Sequence, residues 1–361
     1  MSDVPEKCRL PDMLPIDSRK ECMMSFRVVM VVANPMIPHN EEDYRKIGAE
    51  FITRPCQTED ELIAATQDAD AVITMMRPLA RKVIEKLNRC KLIYNLGTGY
   101  EAIDVAAATE HGICVSYPDG YCTEEVAEHT MALILACARK LLRLDGAVRA
   151  GKWDSYEKKE IRLKILPPLF QLKGQTLGLI GFGSISRRLV PKAKGFELRV
   201  IAFDPYVPSS VFEELGVESV AFDYLLENSD FVSIHAAFTP EVRHMLGVEQ
   251  FKKMKLTAYV VNCARGEFID EQALNTALTQ GYIAGAALDV LQTEAVTLEH
   301  PLLKLENVII TPHAAYYSEQ SRLEYRRRPY EEIARIIKGE WPQWLINTQV
   351  KENFRSRWGK D

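Results

Sequence analysis

Short apolar runs alternate with amphipathic stretches along the chain from residue 26 onward. Up to residue 118 the apolar runs have the length of β-strands, and they are FRVVMVVANP, DADAVITMM, KLIYNLGTG and ICVSYP. The stretches between them have a helical pattern, as in RPLARKVIEKL and IDVAAATEHG. Strands and helices that alternate at this spacing predict a parallel sheet with helices on both faces.

A long helical pattern follows in residues 123–151, TEEVAEHTMALILACARKLLRLDGAVRAG. Its apolar side chains recur at helical spacing, which predicts one helix with a broad buried stripe. The next stretch, WDSYEKKEIRLKILPPLF, ends in two consecutive prolines and predicts an irregular excursion.

A second series of strands and helices runs from residue 176 to residue 313. Its predicted strands are TLGLIGFG, RVIAFDP, FVSIHA, AYVVNCA, IAGAALDV and NVIITPH. A final helical stretch covers residues 318–339, and Pro329 is expected to kink or break it. The pattern predicts an α/β protein of two doubly wound parallel-sheet domains, the second inserted into the first.

The bulk composition narrows the class of protein. With 361 residues, of which 47% are hydrophobic and 26% charged, the chain has material for two cores. Direct nucleic-acid binding requires a strongly basic face, and a net charge of −5 does not suggest one. No run reaches the roughly 18 apolar residues of a membrane span. The N-terminal segment MSDVPEKCRLPDMLPIDSRKEC lacks the apolar core of a signal peptide.

Eight cysteines are scattered along the chain without a C-x-x-C pair. Their spacing fits neither a zinc site nor a disulfide framework, and most of them lie within apolar runs. We therefore expect reduced, buried thiols in a cytoplasmic protein with no bound metal.

The segment GLIGFGSISRR, residues 178–188, has the pattern of a dinucleotide-binding loop. Gly181 and Gly183 follow an apolar strand and precede a helical run. The first glycine permits a tight turn, and the second lets a pyrophosphate approach the backbone N–H groups at the helix N-terminus. Ser186 replaces the third glycine of the pattern, so a slightly looser helix–strand packing is expected without loss of binding.

Asp204 ends the next predicted strand, at about the 20-residue distance typical of such loops. A carboxylate there accepts a hydrogen bond from a ribose 2′-OH and repels a 2′-phosphate, so NAD is favoured over NADP. The alternative is that Asp204-Pro205 is only a turn after a strand. Strand, turn, helix and acid together favour an NAD site.

Three polar residues, Arg265, Glu294 and His313, lie at or just after the ends of strands in the second series, where α/β sheets bind ligands. Together they suit the reduction of a 2-oxo acid. The arginine can hold the substrate carboxylate and carbonyl, the histidine can donate the proton, and the glutamate can orient the imidazole. Hydride comes from the cofactor. Taken singly, each can also be a solvated loop residue.

The ordered motifs NLGTGYEAIDVAAATEHGI, GLIGFGSI, FDP, VVNCARGEFIDEQAL, GAALDV and TPHAA make the chain resemble the D-isomer-specific 2-hydroxyacid dehydrogenase family from about residue 25 onward. The resemblance implies a Rossmann NAD-binding domain, residues 119–317, inserted into a flavodoxin-like substrate domain, residues 25–118 and 318–350. Residues 1–24 and 351–361 are then tails. Catalysis is expected in the cleft between the domains, and the family usually forms homodimers.

By the same resemblance Arg265 binds substrate, Glu294 supports the histidine and His313 is the acid/base. The expected substrate contacts are Leu96, Gly97, Thr98, Arg77 and Tyr316. The expected cofactor contacts are Thr98, Gly181, Phe182, Gly183, Ser184, Ile185, Ser186, Asp204, Pro205, His235, Ala236, Ala237, Thr239, Cys263, Ala264, Asp289 and Ala315. Arg77 can favour a second anionic group on the substrate, or it can lie in solvent at a helix start.

Within the family, TPHAAYYSEQ and FDPY look most like the branch of the C-terminal-binding protein corepressors. Tyr316 stands where that branch typically has tryptophan, and Ala295 replaces a proline often found after the glutamate. The favoured function is the interconversion of a 2-oxo acid and a D-2-hydroxy acid with NAD. The alternative is an NAD(H)-sensing scaffold protein that resembles the corepressors.

Overall fold

The computed structural model describes residues 26–32, 39–75, 77–153 and 161–359. The expected tail at residues 1–24 lies outside these ranges. The described chain forms two compact units. Unit 1 holds the residues up to Tyr121 and those from Ser318 onward, and unit 2 is Cys122–Tyr317.

The strands β1 to β12 are, in chain order, Phe26–Met30, Ala49–Thr53, Ala71–Thr74, Leu92–Asn95, Cys114–Ser116, Thr176–Ile180, Arg199–Phe203, Glu218–Ser219, Phe231–Ile234, Tyr259–Asn262, Gly285–Leu288 and Val308–Ile310. The α-helices α1 to α13 are Glu41–Lys46, Glu59–Thr66, Arg81–Ile84, Val105–Glu110, Thr123–Ala138, Leu141–Arg149, Ser184–Gly195, Ser209–Glu214, Phe222–Asn228, Val248–Lys253, Glu271–Thr279, Glu319–Lys338 and Lys351–Trp358. Among these described helices, none is long and apolar enough to cross a membrane.

Unit 1 contains a five-stranded parallel sheet in the order β2-β1-β3-β4-β5, which is the flavodoxin-like order. All four strands that the apolar runs predict for this unit are present, as β1, β3, β4 and β5. The apolar pattern missed β2, an edge strand in which Glu50 is exposed and only alternate positions are buried. On one face of this sheet, Leu62 of α2, Val83 of α3 and Ala107 of α4 pack in one apolar cluster.

The returning C-terminal chain is tied to unit 1 by a buried carboxylate on α12. Glu332 has no exposed surface and accepts hydrogen bonds from Ser116 Oγ at 2.6 Å and from Gln343 N at 2.9 Å. The helix continues through Pro329, so the predicted break does not occur. Pro329 is itself buried, and the packing of α12 offsets the one hydrogen bond that proline cannot make.

The expectation of a tail from residue 351 is wrong, because residues 351–358 form α13. The helix packs through buried Phe354, and Trp358 Nε1 donates to Gly112 O at 3.0 Å. The short segment KENFRSRW has a single buried apolar residue, Phe354, and too few apolar positions to reveal a helical period.

Unit 2 contains a seven-stranded parallel sheet in the order β12-β11-β10-β9-β6-β7-β8. The order reverses at β6, as in a Rossmann fold. Helices α9, α10 and α11 supply Leu225, Phe251 and Leu274 to the core on one face. Helices α5 and α7 supply Ile134 and Leu189 to the core on the other face. The predicted fold of two parallel-sheet α/β domains is confirmed, because each unit contains one parallel sheet.

The single long helix predicted for residues 123–151 is two helices, α5 and α6. They are separated at Lys140, whose φ of 51° lies in the left-handed region and breaks the helical path. Of the predicted irregular excursion, residues 154–160 lie outside the described ranges, and Ile161–Ile165 forms one π-helical turn.

Candidate active site

The glycine loop joins β6 to α7 and has the geometry that the sequence predicts. Gly181 has a φ of +88°, and a Cβ there would lie 2.5 Å from Ala236 N, so only glycine fits. Gly183 is the N-cap of α7. Apart from Gly183 and its two chain neighbours, no heavy atom of the described residues lies within 4 Å of a Cβ placed at Gly183, which leaves room for a ligand above the helix N-terminus.

Ser186, the replacement for the third glycine, is fully buried on α7. Its Oγ donates a hydrogen bond to Gly181 O at 2.6 Å. The serine side chain therefore makes a hydrogen bond across the tight turn between β6 and α7, which a glycine cannot make. Sequence reasoning expected only looser packing at this position and did not foresee the bond.

Asp204 follows β7 and contacts the glycine loop directly. Its Oδ2 accepts from Phe182 N at 2.8 Å, and its Oδ1 accepts from Tyr206 N at 2.9 Å. The second bond forms a turn at Asp204-Pro205, which is the alternative that the sequence left open for this dipeptide. The first bond places the carboxylate beside the loop where a bound dinucleotide is expected, and each oxygen can accept one more bond.

His235 follows β9 and lies against Gly181. Its Nε2 is 2.8 Å from Ser233 Oγ, whereas its buried Nδ1 has no hydrogen-bond partner among the described residues. Burial lowers the pKa of His235 to about 4, so the ring is neutral near pH 7. A buried ring nitrogen without a partner, on a residue whose backbone contacts the glycine loop, fits a site that is completed by a polar ligand.

The remaining expected cofactor residues of unit 2 also follow strand ends. Ala236, Ala237 and Thr239 come after β9, whereas Cys263 and Ala264 come after β10. Burial raises the pKa of the Cys263 thiol to about 12, so it is not a nucleophile at neutral pH. In the described ranges, no three His, Cys, Asp or Glu side chains are grouped as metal ligands.

The three residues expected to be catalytic follow three neighbouring strands. Arg265 follows β10, Glu294 follows β11 and His313 follows β12. The carboxyl ends of adjacent parallel strands meet at one edge of a sheet, so all three lie at the same edge of unit 2.

His313 and Glu294 form a direct pair, with Nδ1 of the imidazole 2.6 Å from Oε1 of the carboxylate. Their side chains are 37% and 45% exposed, so neither is shut off from a ligand. Because a carboxylate only accepts, Nδ1 carries the hydrogen and Nε2 is left for other partners. The aromatic ring of Tyr316 lies edge-on to the imidazole, with ring centroids 6.1 Å apart.

The loop that carries His313 is fixed by Asp289. His313 N donates to Asp289 O at 2.8 Å, and the N–H groups of Ala314 and Ala315 donate to the Asp289 carboxylate at 2.9 Å each. The carboxylate has no exposed surface. The sequence pointed to Asp289 as a cofactor contact and missed this role in holding the loop, which nothing in the motif GAALDV reveals.

Arg265 is half-buried in the loop after β10, where its Nη1 donates to Ala264 O at 2.8 Å. The next residue, Gly266, packs so tightly that a Cβ would lie 2.0 Å from the carbonyl carbon of Leu291. This close approach fixes the arginine loop against the chain that leads to Glu294.

In unit 1, the segment at residues 96–98 follows β4 and is shaped by Asn95. The Asn95 side chain donates to Gly97 O at 2.6 Å and to Gly99 O at 2.8 Å. Leu96 is buried, whereas Thr98 is exposed. A role of these residues in substrate or cofactor binding stays a prediction.

Arg77, also in unit 1, follows β3 and is half-buried. Backbone bonds from Gln57 and Thr58, and to a smaller extent the charge of Arg77, hold the pKa of Glu61 below its usual value. The substrate role of Arg77 stays a prediction.

This chain is similar to known proteins over much of its length. The profile of the family described as D-isomer specific 2-hydroxyacid dehydrogenase, NAD binding domain, matches residues 131–315. The chain is 38% identical to a glyoxylate reductase of Korarchaeum cryptofilum over 80% of this chain and 86% of that protein. It is 39% identical to a D-3-phosphoglycerate dehydrogenase of Methanocaldococcus jannaschii over 80% of this chain and 54% of that protein.

A solved structure has the same fold. The D-lactate dehydrogenase of Aquifex aeolicus, crystallised with NAD and lactic acid, superposes with a TM-score of 0.75 at 28% identity. The match covers 87% of this chain and 96% of that chain.

Proposed function

The chain belongs to the D-isomer specific 2-hydroxyacid dehydrogenase family, and on that basis we propose that it reduces glyoxylate or a 2-oxo acid of similar size. It is an NAD-dependent oxidoreductase that interconverts 2-oxo acids and D-2-hydroxy acids. The alternative of an NAD(H)-sensing scaffold is not favoured by its relatives.

Glyoxylate is the first candidate because of how the chain aligns with its relatives. The similarity to a glyoxylate reductase extends over most of both chains, whereas the phosphoglycerate dehydrogenase continues well beyond the matched part.

The observation that carries the acid/base proposal is the pair of His313 and Glu294. With Nδ1 held 2.6 Å from the carboxylate, Nε2 of His313 is the ring atom that donates a proton to the oxo group of the substrate. In the reverse direction the same atom accepts the hydroxyl proton. Glu294 fixes the ring orientation and stabilises the imidazolium.

Arg265 is proposed to bind the substrate carboxylate and to polarise the oxo group. A guanidinium suits this task because it presents several N–H donors in one plane. The close contact of Gly266 with Leu291 supports the assignment, since it makes the arginine loop rigid.

NAD is the cofactor, and when it is bound it supplies or accepts the hydride. We propose that the backbone N–H groups after Gly183, at the N-terminus of α7, bind the pyrophosphate. Asp204 accepts a hydrogen bond from the ribose.

A homodimer is the proposed assembly. Unit 2 exposes a set of large apolar side chains on α6 and the following segment, namely Leu141, Leu142, Val148, Trp153, Leu163 and Phe170. Exposed apolar groups of this extent are typical of interfaces. Sedimentation velocity of the wild type and of a Leu141→Glu/Leu163→Glu variant tests this: a dimer that dissociates in the variant supports the proposal, and a monomeric wild type contradicts it.

A cytoplasmic location is proposed from the state of the thiols. Cys56, Cys90, Cys114, Cys122 and Cys137 are free and buried, as expected in a reducing compartment.

The acid/base proposal is tested by His313→Ala and Glu294→Gln with glyoxylate and NADH. The alanine variant is expected to lose at least about a hundredfold in kcat, because a positioned acid contributes that much. The glutamine variant still accepts from Nδ1 but carries no charge, so a smaller loss of about tenfold is expected. Turnover by His313→Ala at the wild-type rate contradicts the assignment.

A further inference from the structure

His129 on α5 contacts the loop that carries His313. Its Nε2 lies 3.0 Å from Thr311 Oγ1 and 3.5 Å from Asp289 Oδ1, and its side chain is 25% exposed. Nothing in the sequence singles out this histidine, because seven strands, β6 to β12, lie between it and the TPHAA motif in the chain. All three residues belong to unit 2.

The direction of each hydrogen bond in this group follows from counting protons. The hydroxyl of Thr311 lies 2.5 Å from Asp289 Oδ1, and a carboxylate can only accept. The single proton of Thr311 is therefore directed to Asp289. Thr311 Oγ1 must then accept from His129, so Nε2 of His129 carries a hydrogen.

Asp289, which accepts from Thr311, also accepts hydrogen bonds from the backbone around His313. Its carboxylate accepts from Ala314 N and Ala315 N, and its carbonyl accepts from His313 N. His313 itself has a φ of 48°, in the left-handed region that is unfavourable for a non-glycine residue. Such a conformation persists only when surrounding bonds hold it.

We propose that His129 is a positioning residue for His313, acting through Thr311 and Asp289. The proposal rests on the proposed function, in which His313 exchanges a proton with the substrate. The Nε2–H of His129 fixes the Thr311 hydroxyl toward Asp289 and places a basic group beside a buried carboxylate. Without it, the hydroxyl is free to turn away and the bonds that hold the loop weaken.

The first experiment compares His129→Ala with His129→Gln, using glyoxylate and NADH. A small displacement of an acid/base group can cost up to about a hundredfold in rate, so kcat of the alanine variant is expected to fall about tenfold or more. The glutamine amide can replace the Nε2–H donor, so its kcat is expected within about threefold of wild type. The Kd of NADH, from fluorescence titration, is expected to change less than about threefold in both.

His111→Gln is the matched control, since His111 lies in unit 1 and its ring Nδ1 is 2.9 Å from Ala107 O, one helical turn earlier. An alanine variant with the wild-type kcat overturns the proposal. So does a glutamine variant that loses as much activity as the alanine variant while it unfolds at the wild-type temperature.

A double-mutant cycle separates positioning from a general loss of structure. Thr311→Val removes the hydroxyl and keeps the shape of the side chain. Because His129 and Thr311 act through one bond, the His129→Ala/Thr311→Val variant is expected to lose no more kcat than the worse single variant. Multiplicative losses overturn the proposed connection.

Nuclear magnetic resonance of ¹⁵N-histidine-labelled protein tests the proton placement without any turnover. The Nε2 signal of His129, assigned by its absence in His129→Gln, is expected at the shift of a protonated nitrogen. An unprotonated Nε2 overturns the proposal. If His313→Ala instead proves fully active, the proposed function fails, and this measurement still decides the state of His129.

Discussion

Nδ1 of His313 lies 2.6 Å from Oε1 of Glu294, although the two residues are on loops that follow different strands. The pair forms because β11 and β12 are adjacent and parallel, so their carboxyl ends meet. The contact selects the tautomer of the histidine and directs Nε2 away from the glutamate. A proton donor of fixed orientation is what the reduction of a 2-oxo acid requires.

Removal of the guanidinium at position 265 should separate substrate binding from cofactor binding. Arg265→Ala is expected to reduce kcat/KM for glyoxylate by about a hundredfold or more, because a bidentate partner of the carboxylate is lost. The Kd of NADH should stay within about threefold. Arg265→Lys keeps the charge without the planar fork and should recover only part of the activity.

Arg199→Ala is the control for this series, since Arg199 begins β7 and pairs with Glu218 at the surface. Weakened NADH binding with normal turnover in Arg265→Ala contradicts the assignment of Arg265 to the substrate.

The negative charge of Asp204 should determine the preference for NADH over NADPH. Asp204→Asn keeps an oxygen that can accept from Phe182 N, whereas the charge that repels a 2′-phosphate is lost. The ratio of kcat/KM values for NADPH and NADH is expected to rise about tenfold or more. An unchanged ratio means that this carboxylate is not beside the ribose.

A methyl group at Gly266 should disturb the loop of Arg265 and the loop that leads to Glu294. In Gly266→Ala the added Cβ meets the Leu291 carbonyl carbon at 2.0 Å, and the backbone must shift. Overpacking of this kind typically costs about 1–3 kcal/mol of unfolding free energy, and kcat should fall as well because Arg265 and Glu294 flank the contact.

Gly195→Ala is the matched control, because outside its chain neighbours and its own helix backbone no described heavy atom lies within 4 Å of its Cβ position. Urea unfolding is expected to leave this variant within about 0.5 kcal/mol of wild type. Equal stability and activity of the two alanine variants would show that the tight contact at Gly266 has no consequence.

His235 should make the protein less stable in mild acid. Its folded pKa of about 4 lies below the ordinary value of 6.5, so between these values the unfolded chain binds a proton that the folded protein does not. The free energy of unfolding therefore rises with pH across this window and is lost on acidification.

His235→Gln removes this titration and keeps a donor near Ser233. The wild type is expected to lose about 2 kcal/mol more than the variant between about pH 7 and about pH 5, as measured by urea unfolding. Parallel pH dependences in the two proteins would contradict the account of His235 as a buried, neutral ring.

The sequence predicted those parts of the fold that depend on repeating local patterns. Strands such as β6 and β10 are continuous apolar runs bounded by polar turns, so their positions and their parallel pairing could be inferred. The break between α5 and α6 could not, because the left-handed Lys140 interrupts an otherwise unbroken helical pattern. The short helix α13 is held by tertiary contacts of Phe354 and Trp358.

In the site, the sequence indicated residues but not their connections. Glu294 and His313 could be named because each follows a predicted strand end. The bond from Ser186 to Gly181 and the group of His129, Thr311 and Asp289 could not be foreseen. These depend on which side chains face each other across elements far apart in the chain, and periodicity carries no such information.

The most direct test of the central claim is the rate of NADH oxidation by the purified protein with a panel of 2-oxo acids. The panel includes glyoxylate, hydroxypyruvate, pyruvate and phenylpyruvate, and NADPH is measured in parallel. We predict rapid turnover with NADH, fastest for glyoxylate, and a product of the D configuration where the substrate gives a chiral alcohol. Tight NADH binding with negligible turnover across the whole panel would contradict the claim.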